Sequence, residues 1–543
     1  MRLDAATARG VSRVSVEGME RRIKANATEG PASGSSMEGN SVLLKELLTV
    51  SACSYSLLAA LVLVLVTAVL GGRSEKSRKA APGPRAWPVL GSLHLMAGYR
   101  VPYQAFSTLA QRYGAVFGMQ LGSVQCLVVN GLDNIREVLM SKNNHFDGRP
   151  DFTRYKQLFA GDKDNSLAFC NWSDLQKTRR DMLQAHTFPR PFTSRYNQLD
   201  EILSEEWSHL YVQLKSSNNS NMALKPLIVQ GCANIFTSYF CSKRFDSDNV
   251  EFMRMVRNFD EVFYEVNQGY AADFIPWLMP LLGKHLKRIA GWSHEIREFM
   301  EKAIMKERLE SLNNNMDMDA PSGDYVDSLI EHIHYHKQPT LTWETAMFAL
   351  EDIIGGHSAV ANLLIKVLAF IVERPDIQQK AFEEAEAATG GRDVTLADRT
   401  QMPYTEAIIL EAIRLIASPI VPHVANQDSV IAGYTVEKDT LIFLNNYSLS
   451  MDPALWDEPD KFKPERFISA EGHVVKPEHF LPFGGGRRSC MGYKMVQLIG
   501  FSILGSILHR FSLSPVEGVD YQVPIGNLAL PYDTFNFKLE HRF

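Results

Sequence analysis

Near the C-terminus, FLPFGGGRRSCMGYKMV (Phe480–Val496) sets one cysteine, Cys490, after three consecutive glycines and two arginines and ahead of a glycine and an apolar run. A cysteine so placed could be a nucleophile, a redox group, a metal ligand or a small buried hydrophobe, and taken alone the last is the commonest. Its neighbours favour a thiolate ligand. Glycines permit positive φ and a close approach of backbone N–H groups to a sulfur. The apolar run after Gly492 reads as a helix whose N-terminus would favour negative charge. Arg488 would offer a fixed fork of donors to a carboxylate. A phosphate cradle is disfavoured, because no Gly-Lys-Ser/Thr follows and the glycine spacing does not match the dinucleotide fingerprint. The other cysteines, at 53, 126, 170, 232 and 241, are scattered and form no CxxC pair. That argues for free thiols in a reducing compartment and against a zinc site.

Elements must position that loop and its companions. Phe348–Ile365 is apolar nearly all round its C-terminal part and is expected to be one long buried helix; it contains Gly355-Gly356-His357-Ser358-Ala359. Pro375 opens an amphipathic helix closed by Gly390-Gly391, and Pro403 opens another that carries Glu411 and Arg414 at i, i+3. Residues 431–444 read as a hairpin and 117–129 as strand. The fold class expected is mainly α with a minor β part.

Composition is ordinary for a globular protein, and a net charge of −6 excludes nucleic acid as the main partner. Leu47–Leu70 runs for 24 residues without a charge. As a helix it would span about 36 Å, enough for a bilayer core. Arg73, Lys76, Arg78 and Lys79 follow at once, which places residues 1–46 in the lumen and the remainder in the cytosol. The expected organisation is a disordered lumenal segment (1–46), a transmembrane anchor (47–70), a basic and proline-rich hinge (71–92) and a catalytic domain (93–543). A lumenal Asn26-Ala27-Thr28 sequon would be open to glycosylation. Five arginines among the first 22 residues suit a mitochondrial address instead, but Asp4, Glu17 and Glu20 do not.

FGGGRRSCMG fits the haem-loop pattern Phe-x-x-Gly-x-Arg-x-Cys-x-Gly at all five defined positions. Glu411-Ala412-Ile413-Arg414, Pro464-Glu465-Arg466-Phe467, HFDGRP (145–150) and PGPRAWPVLGS occur in the order expected of the same family. Over roughly Pro82 to the C-terminus the chain thus resembles the haem-thiolate monooxygenases, the cytochrome P450 family. The resemblance implies haem b, with Cys490 as axial iron ligand. It implies Phe483 and Gly486 packing beside the sulfur, and Gly492 letting the following helix pass close under the ring. Arg488, His423 and Trp172 would be propionate partners, and Glu411, Arg414 and Arg466 a buried structural charge network. It also implies NADPH–cytochrome P450 reductase as electron donor, docking on a face where Arg487, Lys494, Lys177 and Arg179 offer positive charge, and membrane lipid around the anchor.

Two departures stand out. Members usually carry Trp-x-x-x-Arg; here Gln176 follows Trp172 at that spacing, with Lys177, Arg179 and Arg180 as substitutes. They usually carry an acid–threonine pair over the haem; here Ser358 and Ala359 occupy those places, after the retained Gly355-Gly356. Alanine has no proton to donate. Protons would come by a water held at Ser358 or His357 or by a substrate hydroxyl, or dioxygen is not activated in the usual way. The altered helix, the long N-terminus and the 421–440 region resemble the insect ecdysteroid-hormone enzymes, which implies an early oxidation of a sterol such as 7-dehydrocholesterol. A haem-thiolate isomerase or dehydratase needing no external electrons, and a non-catalytic haem-based sterol or gas sensor, are the alternatives. The substrate-lining segments expected are the loop before Trp172, Gly355–Ala359, the strand after Pro422 and residues 527–533.

Overall fold

The computed structural model describes residues 79–216, 221–314, 323–335 and 341–543. The lumenal segment (1–46), the anchor (47–70) and the start of the hinge lie outside the described residues. In chain order the principal elements are α1 (Pro102–Tyr113), β1 (Val116–Leu121), β2 (Val124–Val129), α2 (Asp174–Thr187), α3 (Ser194–Ser216), β3 (Asn221–Ala223), α4 (Leu224–Cys241), α5 (Val250–Val266), α6 (Gly283–Met300) and α7 (Tyr325–Tyr335). They continue with α8 (Trp343–Ile354), α9 (Gly356–Ile371), α10 (Pro375–Thr389), α11 (Pro403–Ile416), β4 (His423–Val424), β5 (Ser429–Ile431), β6 (Tyr434–Val436), β7 (Leu441–Leu444), α12 (Tyr493–Arg510), β8 (Phe511–Pro515) and β9 (Asn536–His541). The mainly helical class is as expected.

The expected helix over 348–365 is two helices, α8 and α9, meeting at Gly355. A capping box opens α8, with Thr342 and Thr345 exchanging side-chain and backbone bonds. By length and composition the pair could cross a membrane, yet it runs through the middle of the protein. Every side chain from Val360 to Ile371 is buried, packed against α4, α5, α11 and α12. At about 1.5–3 kcal/mol per buried aliphatic side chain, this helix organises the core. Pro403 at the first turn of α11 and Gly390 at φ 63° after α10 act as the start and stop signals read from sequence.

The strands pair differently from what the sequence pattern suggests. Residues 117–129 are two antiparallel strands, β1 and β2, joined at Gly122-Ser123. The 431–444 hairpin is likewise corrected: β5 and β6 form the hairpin around Ala432-Gly433, whereas β7 leaves it to pair parallel with β2 and antiparallel with β4. Alternation of apolar residues is the same in a hairpin and in two strands of different sheets, so periodicity alone could not separate them. The proline-rich hinge is not a free spacer throughout. The Gly118 N–H donates to Pro82 O at 2.8 Å, and the Ser92 N–H donates to Gln120 O, which lays the hinge along β1.

Candidate active site

The cysteine loop is shaped by its glycines. Gly484 and Gly486 have φ of 70° and 62°, in the left-handed region that other residues avoid. A Cβ on Gly486 would also lie 2.0 Å from Leu139 O. The chain turns back so that the Cys490 N–H donates to Phe483 O at 3.0 Å, and α12 begins just beyond. The sulfur accepts from the N–H groups of Gly492 and Tyr493. Cys490 is surrounded by protein, yet its side chain is open to an internal cavity of about 400 Å³. Burial pushes its thiol pKa up, while the two N–H groups and Arg180 oppose that shift. A metal taking the proton's place would resolve that conflict.

Across the cavity from this loop stand Gly356, Ala359, Val360 and Leu363 of α9, with Asp352 and Ile353 of α8. Leu167, Leu183, Phe236, Ile413, Ile420 and Leu528 extend the apolar wall. Phe483 lines the cavity beside Cys490 and packs its ring 5.8 Å from that of Tyr493.

At one edge the wall is cationic. Arg149, Arg180 and Arg488 all line the cavity. Arg149 donates to Ala168 O and Pro422 O, Arg180 to Ser489 O at 2.7 Å, and Arg488 to Ala168 O and Cys170 O. None of the three forms an ion pair among the described residues. Burial, then mutual repulsion with Arg488, pushes Arg149 well down and Arg180 to about 10. His423 is buried beside them; its Nδ1–H donates to Phe146 O at 2.5 Å and its Nε2 has no partner. Burial, then Arg149, lowers its pKa far below the usual value. Three guanidiniums without a carboxylate partner, one of them (Arg149) buried and the other two half-buried, and an orphaned imidazole nitrogen call for anionic oxygens there. With the Cys490 sulfur open to the cavity opposite an apolar wall, the residues fit a haem with two propionates.

Of the three basic residues near Gln176, only Arg180 lines the cavity. Lys177 is exposed and pairs with Asp181. Arg179 is buried but turned to Asn165 O and Asp164 O. Arg180 faces the cavity. Gln176, one turn earlier on the same stripe, instead ties α2 to the loop through Leu167 O at 2.7 Å. Trp172 does not line the cavity; its ring carries the Arg487 guanidinium at 4.9 Å, and Arg487 pairs with Asp147 at 3.0 Å. Arg149 and Asp352 were missed from sequence. Arg149 lies within HFDGRP, so the motif was the available signal.

His357 and Ser358 do not line the cavity. His357 is fully buried between the Phe236 and Phe259 rings, its Nδ1–H donating to Ile354 O at 2.6 Å. Burial lowers its pKa to about 4, so it is neutral at pH 7. Ser358 Oγ lies 3.4 Å from His357 Nε2. Of the expected substrate-lining segments, the loop before Trp172, Gly356 and Ala359 of the 355–359 stretch, and Leu528 reach the cavity, but the strand after Pro422 does not: Ser418–Val421, just before it, do.

Glu411, Arg414 and Arg466 come together behind α11. Glu411 and Arg414 are fully buried and bidentate, with both N–H···O distances 2.7 Å. Arg414 also donates to Ser450 O, Pro459 O and Lys461 O, and Arg466 Nε reaches Glu411 at 3.2 Å.

A thiolate loop, a cationic edge and a broken helix across an apolar cavity define a haem-thiolate enzyme. The family model for cytochrome P450 matches residues 81–539. The chain is 40% identical over 489 residues to cytochrome P450 307a1 of Drosophila melanogaster, covering 85% of this chain and 89% of that one. It is 29% identical to cytochrome P450 1A2 of Oryctolagus cuniculus (84% and 90% covered) and 28% identical to cytochrome P450 2U1 of Homo sapiens (89% and 94% covered). The chain belongs to the cytochrome P450 family, and as a member it is a monooxygenase that binds haem through a cysteine thiolate and takes electrons from a reductase partner. Haem held there supplies the iron at which dioxygen is activated. The mitochondrial alternative gains no support from these relatives.

Proposed function

We propose that the chain oxidises a sterol, such as 7-dehydrocholesterol, in an early step of ecdysteroid-hormone synthesis. It does so at the endoplasmic reticulum membrane, with electrons from NADPH–cytochrome P450 reductase. The observation that carries this reading is the largely apolar wall of the cavity over Cys490, which suits a rigid lipid. The likeness to the Drosophila P450 307a1 over most of both chains supports it. Cys490 is the iron ligand, with Arg149, Arg180, Arg488 and His423 as propionate partners. For the membrane, the charge-free run at 47–70 is joined by Trp87, Val89, Trp277 and Leu281, which are exposed around the β1–β2 turn and suit contact with lipid.

Gly356 and Ala359 form the oxygen-side face of the helix. His357 is neutral and its one proton is committed to Ile354 O, so it holds the helix break in place and does not deliver protons. Protons reach the site from water or from a hydroxyl on the substrate. Incubating membranes that contain the protein and the reductase with labelled sterols, with and without NADPH, tests the reading. An oxidised sterol that forms only with NADPH is expected; turnover of no sterol, or turnover without NADPH, would overturn it.

A further inference from the structure

The cavity's ionisable lining, among the described residues, is Arg149, Arg180, Arg488, Cys490 and Asp352. The first four are accounted for by haem and its propionates. Asp352 is not. It stands on α8, one turn before the break at Gly355, as the one carboxylate among the described residues that line the cavity. A carboxylate in such a place needs hydrogen bonds to be tolerated. Its Oδ2 has them: Ser166 Oγ donates at 2.9 Å and the Leu167 N–H also donates to it. That holds the carboxylate at a set angle and straps the 166–168 loop to α8. Of the charged groups around it, Arg179 is committed to backbone carbonyls, and Glu351 is turned away to Arg297 and Ser293. The Ala168 N–H also reaches the carboxylate, and of its roughly four acceptor sites one remains for a donor in the cavity that the residue lines.

We propose that Asp352 is the substrate-orienting residue of this cavity: with the carboxylate anchored to the loop, its remaining acceptor site takes a hydrogen bond from a hydroxyl group on an otherwise apolar substrate. The inference rests on the sterol reading above and deepens it by naming the group that is recognised. A site built to bond a hydroxyl rejects the analogue that lacks it, because the remaining acceptor site is then cut off from water with no donor.

The test is equilibrium binding, read from the substrate-induced change in the absorbance of the haem-loaded protein, with 7-dehydrocholesterol and its 3-deoxy analogue. The wild type is expected to bind the hydroxyl form roughly 10- to 100-fold more tightly, the range for a hydrogen bond to a charged acceptor. In Asp352→Ala that ratio should fall to about one through loss of affinity for the hydroxyl form alone. Asp352→Asn keeps an oxygen for the Leu167 N–H, so the loop strap survives, but presents a neutral amide to the cavity; its ratio should fall to a few-fold. Ser418→Ala, which removes another hydroxyl from the wall, should leave the ratio unchanged. Equal binding of the two sterols by the wild type would overturn the role of Asp352 and leave the sterol reading standing, whereas binding of neither would overturn both. An unchanged ratio in Asp352→Asn and Asp352→Ala, equal weakening of both ligands in Asp352→Asn, or loss of the ratio in Ser418→Ala would also refute the assignment.

Discussion

Glu411→Gln is the sharpest test of the buried charge network. The carboxylate it removes is fully buried and accepts four bonds: two from Arg414 at 2.7 Å, one from the Lys463 N–H at 2.9 Å and one from Arg466 at 3.2 Å. Glutamine keeps the shape, but its amide nitrogen would point N–H against the N–H groups of Arg414 or Arg466. Two guanidiniums would then sit in the protein interior with no counter-charge. Breaking a buried pair from one side costs about 3–5 kcal/mol. The three carbonyls that still hold Arg414, from Ser450, Pro459 and Lys461, keep the expected loss near the low end, about 3 kcal/mol. With an unfolding entropy of about 2.1 cal/mol/K per residue over roughly 460 residues, 1 kcal/mol moves the melting temperature by about 1 °C. A fall of about 3 °C is therefore expected, with lower haem content, because Arg414 ties α11 to the segment that leads into the cysteine loop. Circular dichroism melting and the carbon monoxide difference spectrum read the two effects on the same sample. Melting within about 1 °C of wild type at full haem content would refute the stabilising role, and lost turnover with wild-type melting and spectrum would make Glu411 a participant in catalysis.

Gly486→Ala should cut haem incorporation several-fold, measured as haem per polypeptide, because the added methyl meets Leu139 O at 2.0 Å in a left-handed residue. Arg180→Leu should loosen haem, seen as faster transfer to apomyoglobin, whereas Lys177→Leu should not, since only Arg180 faces the cavity. Lys366, buried on α9 and bonded to Pro524 O and Asn527 O, has its pKa lowered to about 7, chiefly by burial. The folded protein therefore sheds that proton before the unfolded chain does, and the contribution to stability rises from pH 7 to about 10.5 and is lost as pH falls back through 7. Lys366→Met should flatten the denaturant-midpoint profile in that window by up to about 1.4 kcal/mol per pH unit.

What the sequence reveals about this site follows from how local each constraint is. Cys490, Gly486, Arg488 and Phe483 lie within one turn of loop, where residue type dictates backbone conformation, and their placement was readable. Glu411 and Arg414 sit at i, i+3 on one helix, again a local geometry. Arg180 was not separable from Lys177 and Arg179, because that choice depends on which stripe of α2 turns inward. Its spacing of four from Gln176 was the only hint. Asp352 carried no signal, since a carboxylate on a helix is ordinarily a solvated one. The hairpin over 431–444 failed for a related reason: strand pairing is a long-range choice that alternation does not encode.

The glycine pair on the helix over the cavity shows why a family pattern can survive in half. Gly355 and Gly356 are retained while the acid and threonine after them are replaced, which is odd if all four serve one proton relay. Packing gives each glycine its own reason. A Cβ on Gly355 would lie 3.0 Å from the Phe259 ring, and one on Gly356 would lie 3.0 Å from the Phe236 ring. Those two rings also enclose His357, so a methyl at either position would press on the aromatic clamp that holds the break between α8 and α9. Ala359 is under no such constraint, because it faces open cavity. Ala359→Thr is therefore expected to fold and load haem as the wild type does, and to raise the fraction of NADPH electrons that end in product over hydrogen peroxide. An unchanged fraction would show that this enzyme's protons arrive by a route that position 359 does not touch.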